Sequence, residues 1–194
     1  MIELLEKWDR TLFIYLNGFH NDFFDQLMWH LSGKLEWIPL YFILFWLLVR
    51  RYGISVWKIL LGTSIVILLT DQLSVHLFKN IFERYRPCHN LEIADLVHSI
   101  NNKCGGKYGF VSSHASNTFG LATYIGLFLT TQKSKWILVA LLIWAVLVSY
   151  SRIYLGVHYP LDVIGGAILG MLIGYFIYLV TKNVFSFKKH KNGI

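Results

Sequence analysis

Acidic residues are scarce in this 194-residue chain, 11 against 18 lysines and arginines, and three basic stretches hold none of them. Arg50, Arg51 and Lys58 occupy the first, Lys133 and Lys135 the second, and Lys182, Lys188, Lys189 and Lys191 the C-terminal tail. A net charge of +7 could suit nucleic acid, but these cations are spread over connections between apolar runs. That is the pattern of the positive-inside rule, and no nucleic-acid partner is expected. The N-terminus lacks the basic segment of a cleavable signal peptide and carries Glu3, Glu6 and Asp9 instead, so no cleaved leader is expected. Cysteine is confined to Cys88 and Cys104. A zinc site built from Cys88, His89, His98 and Cys104 would depart from the usual ligand spacing. No carboxylate-rich metal cluster stands out, and neither a metal nor another cofactor is expected.

What the chain has in quantity is apolar surface: 55% of its residues are hydrophobic and 16% aromatic. Five apolar segments can be counted, at 35–49, 54–78, 115–131, 136–150 and 163–181. A helix needs about 20 residues to span hydrocarbon; the first and fourth segments reach that only with their flanks. Residues 3–19 place Leu4, Leu5, Trp8, Leu12, Tyr15, Leu16 and Phe19 at helical spacing opposite Glu3, Glu6, Lys7 and Arg10, the pattern of a helix lying in a membrane interface. A second amphipathic piece at 23–31 ends near Gly33. The expected fold is therefore all-α: one polytopic membrane bundle of five to six transmembrane helices plus an N-terminal amphipathic helix. Residues 1–34 either lie on the membrane or add the sixth helix. With the basic stretches cytoplasmic, residues 79–112 and 151–159 fall together on the outer side of a cell membrane.

Polar groups then gain meaning from their rarity, since a charge at mid-bilayer costs about 2.5–3.5 kcal/mol on insertion scales and usually faces a polar cavity. Asp71 and His76 read as buried polar contacts between helices, with Asp71, Val75 and Lys79 on one i+4 line toward the outer mouth. Lys79 is followed by Arg84, Arg86 and Pro87, either an interfacial anchor or an anion site. Cys88 and Cys104 share a polar, Gly-rich outer loop that includes Asn101, Asn102, Gly105 and Gly106. An oxidising compartment favours a disulfide between them. Ser112, Ser113, His114 and Asn117 precede the third span, where helix-start amides can bind an anion or the serines can simply cap. In 151–162, Arg152 and His158 flank one polar mouth, Pro160 suits a first helical turn, and Asp162 can sit one turn above His158. Gly165, Gly166, Gly170 and Gly174 form a stripe that permits close helix packing.

These stretches resemble the type 2 phosphatidic acid phosphatase superfamily, the lipid phosphate phosphatases that share a site with vanadium haloperoxidases. The family's first motif, Lys, six residues, Arg-Pro, matches Lys79, Arg86 and Pro87; its third, Ser-Arg, five residues, His, three residues, Asp, matches Ser151, Arg152, His158 and Asp162. The second motif departs from the usual Pro-Ser-Gly-His, reading Val111-Ser112-Ser113-His114. The resemblance implies a metal-independent hydrolase in which His158 becomes a phosphohistidine, Asp162 orients it, and His114 serves as acid and then base. It also implies that Lys79, Arg86, Ser112, Ser113 and Arg152 bind the phosphoryl group. The implied partner is a membrane lipid phosphate within the bilayer. Undecaprenyl diphosphate is favoured, phosphatidylglycerophosphate and lipid A phosphates are alternatives, and phosphate transfer to another lipid would use the same residues. The remote alternative is a non-catalytic scaffold or transporter, in which these residues are helix-end anchors.

Overall fold

Helix boundaries fall where the side chains supply ends. The computed structural model describes residues 2–101 and 103–187; Asn102, Lys188, Lys189 and Lys191 lie outside the described residues. Helix α1 (Ile2–Asn17) is followed by α2 (Asp22–Ser32), which Asn21 opens by accepting the Phe24 amide at 3.0 Å and Gly33 closes. Pro39 sits in the first turn of α3 (Ile38–Tyr52), where its missing N–H costs nothing. After a short 3₁₀ turn at Gly53–Ser55, α4 (Val56–Gln72) continues as a π-helical stretch (Leu73–Lys79) and ends in the short α5 (Asn80–Phe82). A polar loop then leads to α6 (Ser113–Leu129), α7 (Lys135–Tyr154) and α8 (Pro160–Val184).

The described residues form no strand, only one isolated bridge between Tyr85 and Tyr108. Among the described residues three helical stretches are long and apolar enough to cross a membrane: Ile38–Phe82, Lys135–Tyr154 and Pro160–Val184. Helix α7 extends the fourth apolar segment at both ends, so Ser151 and Arg152 ride on its last turn instead of in a loop. Large apolar side chains such as Phe42, Trp46, Leu68, Ile143 and Phe176 are exposed along these helices. Water would penalise that surface and lipid does not; the chain is an all-helical, multi-pass membrane protein.

Helix α6 is the centre of the bundle, packed on α4, α7 and α8. The glycine stripe of α8 explains how closely two of them approach. A Cβ on Gly166 would stand 2.5 Å from the Ser112 carbonyl, one on Gly174 2.5 Å from the Gly120 carbonyl, and one on Gly170 would strike the Ser116 carbonyl. Any side chain there would push α8 off α6 and with it the residues both helices carry at their starts. At the opposite end, Arg51 caps the end of α6 by donating to the Leu129 carbonyl at 2.6 Å and the Thr130 carbonyl at 3.2 Å, a favourable place for a cation. Lys58 donates to the Ser186 carbonyl at 3.2 Å. The basic connection 50–58 and the chain following α8 therefore share one end of the bundle, and the motif residues share the other.

Helix α1 is more than an interfacial ribbon. Its apolar face, with Leu4, Trp8, Leu12 and Tyr15, is exposed, but Asp9, Phe13 and Asn17 are buried on a separate i+4 line. Phe13 packs edge-on against Tyr159 with ring centroids 5.3 Å apart. Asn17 donates to the Tyr154 carbonyl at 2.7 Å and accepts the His98 amide at 2.8 Å.

Candidate active site

Between α7 and α8 the chain reverses at Gly156. Its φ of +73°, and the His98 carbonyl 2.7 Å from where a Cβ would stand, leave room for glycine alone. The Arg152 carbonyl accepts the amides of both Val157 and His158, at 3.1 and 3.2 Å. Pro160 then starts α8, and Asp162 in its first turn directs its carboxylate back on the turn. Oδ2 accepts the Tyr159 amide at 3.0 Å and meets His158 Nδ1 at 3.3 Å. A cap and an orienting contact are thus the same atom. His158 and Asp162 are 2% and 0% exposed, and occupation of Nδ1 leaves Nε2 for chemistry. Burial first, then the positive charges of Arg86, Arg152 and Lys79, pushes the basicity of His158 well below its ordinary 6.5. The imidazole is therefore neutral at physiological pH and its lone pair available.

The other motif residues gather around this histidine. The π-helical stretch carries Lys79, whose Nζ donates to Ser113 Oγ at 2.7 Å; the same hydroxyl lies 2.6 Å from Ser74 Oγ. Arg86 is fixed from the loop side, where Nη1 donates to the Cys104 carbonyl at 2.8 Å and Nε to the Tyr108 carbonyl at 3.2 Å. Cys88 and Cys104 are joined as a disulfide with Cα atoms 5.9 Å apart, which closes the loop that carries those carbonyls. Arg152 Nη1 donates to Ser32 Oγ, while its Nε is buried with no partner. A buried, unpaired guanidinium N–H is costly, and an anion placed there would satisfy it.

Ser112 is fully buried and is the N-cap of α6, its Oγ receiving the Ala115 amide at 3.5 Å and its own amide donating to the Asp162 carbonyl at 2.9 Å. It locks the start of α6 to the start of α8. The first-turn amides of Ser113 and His114 have no carbonyl to bond within the helix. His114 and Ser113 line one end of a cavity of about 490 Å³ that runs between α3, α4, α6 and α7, with Lys34 and Asp71 near the polar end and Trp37, Leu44 and Trp144 among its apolar walls.

One reading of the sequence changes here. Asp71 and His76 are exposed and make no buried interhelical contact; Asp71 lines the cavity instead. The π-helical stretch closes its bonds at i→i+5 and ends in Lys79, which reaches Ser113. Three residues that the motifs did not single out for the site also touch it. Arg84 donates to Asp162 Oδ1 at 2.8 Å and to Asp9 Oδ2 at 2.6 Å, and Gly109 passes so close that a Cβ would lie 2.9 Å from Asp162 Oδ2. Among the described residues no group of three or more His, Cys, Asp or Glu side chains is placed to hold a metal.

A buried imidazole on a carboxylate, a ring of cations and free helix-start amides suit phosphoryl transfer, and the comparisons with known proteins agree. The chain is 36% identical over 186 residues to a lipid A 4'-phosphatase of Bacteroides thetaiotaomicron, covering 93% of this chain and 80% of that one. It is 34% identical over 182 residues to a lipid A 4'-phosphatase of Porphyromonas gingivalis, covering 92% and 75%. Its fold is similar to the crystal structure of a transmembrane PAP2-type phosphatidylglycerolphosphate phosphatase from Bacillus subtilis, with a TM-score of 0.70 at 24% identity over 95% of this chain and 90% of that one. Residues 55–186 match the family model, and on that ground, with the relatives that span nearly the whole sequence, the chain belongs to the PAP2 superfamily.

Proposed function

We propose that the protein removes a phosphate from a membrane lipid through a phosphohistidine on His158, with the glycolipid phosphate monoesters of the lipid A class as its first substrates. The observation that carries the chemistry is the buried His158–Asp162 contact beside the unpaired Nε of Arg152. The phosphoryl oxygens would lie against Lys79, Arg86, Arg152 and the first-turn amides of Ser113 and His114, while Ser112 shapes that turn. Nε2 of His158 attacks phosphorus, the bond to the lipid oxygen breaks, and His114 protonates that oxygen. Water then attacks the phosphohistidine and gives a proton to His114 as the P–N bond breaks, so lipid phosphate and water become lipid alcohol and inorganic phosphate. Asp162 stabilises the imidazolium character of the ring in the first step, as a triad carboxylate does.

The cavity beside His114 supports a lipid tail, because its walls are apolar and it meets the reacting end at Ser113 and His114. The near full-length likeness to two lipid A 4'-phosphatases moves the first choice of substrate from undecaprenyl diphosphate to the lipid A class. Helices α3, α4, α6, α7 and α8 supply five spans in this reading. The protein sits in the inner membrane with the site on the extracytoplasmic side, because Arg51 and Lys58 hold the far end. The test is release of inorganic phosphate from a lipid A phosphate, undecaprenyl diphosphate and phosphatidylglycerophosphate by wild-type and His158→Ala protein in detergent, with labelling of the enzyme after an alkaline quench. The expected result is turnover and a base-stable phosphoenzyme in the wild type and neither in the variant, with lipid A phosphate the fastest substrate. Undiminished release by His158→Ala would refute the mechanism; faster turnover of undecaprenyl diphosphate would refute the substrate order, and loss of lipid phosphate without free phosphate would make it a transferase.

A further inference from the structure

Outside the phosphate site lies a second charged chain that the reaction as described does not use. Asp9 of α1 has a side chain 1% exposed, yet it is 75 residues from Arg84 and 153 from Asp162 in sequence. Its Oδ1 accepts the Leu161 amide in the first turn of α8 at 2.9 Å, and its Oδ2 accepts Arg84 Nη2 at 2.6 Å. The other amino group of the same guanidinium, Nη1, reaches Asp162 Oδ1 at 2.8 Å. Arg84 also lies over the Tyr159 ring at 4.2 Å, and that tyrosine in turn meets Phe13 of α1. One planar cation therefore bridges two buried carboxylates and is pinned in its plane by the residue next to His158.

We infer that Asp9 is a positioning residue for the reaction, acting through Arg84 to hold Asp162 so that its Oδ2 faces His158. This rests on the reading of His158 as nucleophile. The physical reason is rotational. A carboxylate with only one oxygen tied can turn about its Cβ–Cγ bond, whereas Asp162 has Arg84 on Oδ1 and the Tyr159 amide with His158 on Oδ2. Arg84 can hold its end only while its second amino group is itself anchored, and Asp9 supplies that anchor from another helix. Asp9 also ties Leu161, so the cation and the helix start it serves are registered by one side chain. Without Asp9 the guanidinium loses one of its two anchors, and the orientation of the nucleophile loosens while the phosphate-binding cations stay in place.

The inference makes kcat, not KM, the sensitive quantity. Groups that orient a reacting residue from the second layer typically cost about 10–100-fold in activity when removed, against roughly 10⁴-fold for the orienting carboxylate itself. Asp9→Asn keeps the size and the acceptor for Leu161 but loses the charge that anchors Arg84. It is expected to lower kcat by about 10–100-fold with KM within about twofold, and to slow phosphoenzyme formation equally. In an Asp162→Asn background the same change should cost almost nothing, because an orientation already lost cannot be lost twice. Glu92→Gln, which removes the Arg10–Glu92 ion pair of the same helix, should leave kcat near wild type. The inference is overturned by wild-type kcat in Asp9→Asn, by full additivity with Asp162→Asn, or by an equal loss in Glu92→Gln, which would make the effect one of helix docking. Should Asp9→Asn fail to fold in detergent, Arg84→Lys makes the same comparison, since an ammonium cannot bridge two carboxylates from one plane. Wild-type protein inactive on every lipid phosphate would instead refute the underlying reading.

Discussion

Gly109→Ala places one methyl group against the His158–Asp162 pair and tests the proposed role of its geometry directly. Built on the Gly109 backbone, a Cβ would stand 2.9 Å from Asp162 Oδ2, 3.2 Å from Arg86 Cγ and 3.5 Å from His158 Nδ1. Comfortable contact begins at about 3.5 Å, so the carboxylate has to retreat by roughly half an ångström. It cannot do so freely, with Arg84, Tyr159 and His158 all bonded to it. A misplacement of about 1 Å can cost about 10²-fold in rate, so half of that corresponds to about tenfold. Overpacking costs about 1–3 kcal/mol, which in a chain of this size lowers the melting midpoint by roughly 2–12 °C. Gly106 is the matched control three residues earlier, because a Cβ there meets nothing within 4 Å. Phosphate release and thermal melting in detergent should show Gly106→Ala at wild-type levels and Gly109→Ala about tenfold slower and less stable. Equal activity of the two variants would refute the argument, since the methyl group would then have displaced nothing that matters.

Three further outcomes follow from the same contacts. Because burial and then Arg86, Arg152 and Lys79 depress His158 below 6.5, the folded protein binds no proton there where the unfolded chain does; stability from this group is complete above about pH 6.5 and is lost as pH falls below it. The acid limb of kcat/KM should likewise lie below pH 6.5, and a limb at or above that value that persists in a slow His114 variant would count against a neutral His158. Cys104→Ser should lower the melting midpoint, as opening a loop of sequence separation 16 costs about 3 kcal/mol in the chain-entropy picture, and should raise KM because the Cys104 carbonyl holds Arg86; an unchanged melting midpoint and KM would rule this out. A cysteine placed at Lys133 should react with an impermeant reagent only after cells are opened, and labelling of intact cells would invert the proposed topology.

The half of the site proposed to bind phosphate is legible in the sequence because that chemistry demands particular residue types in a fixed order. A lysine, an arginine before proline, a serine–histidine pair and an arginine–histidine–aspartate run are rare enough in an apolar chain to be read without coordinates. The same holds for the helices, whose lengths and glycine stripe follow from composition. The sequence puts Lys79 at the right mouth, but nothing in it announces that the turn before Lys79 widens to a π-helix.

Asp9 and Gly109, and the bridge that Arg84 makes between two carboxylates, are not legible for a different reason. Their types are common, and what gives them a role is contact with residues far along the chain, as in the 75 positions from Asp9 to Arg84, the 78 from Arg84 to Asp162 and the 152 from Asp9 to Leu161. A trace of Asp9 does exist in the sequence. Asp9, Phe13 and Asn17 repeat at i+4 on a face apart from Trp8, Leu12 and Tyr15, and an aspartate in line with an aromatic and an asparagine is a poor match to either water or lipid. A helix whose apolar face meets the bilayer has only its remaining faces with which to grip the protein. A buried polar line on one of those faces therefore marks where it docks, and in this chain it docks on the first turn of α8, beside the tyrosine that follows the histidine.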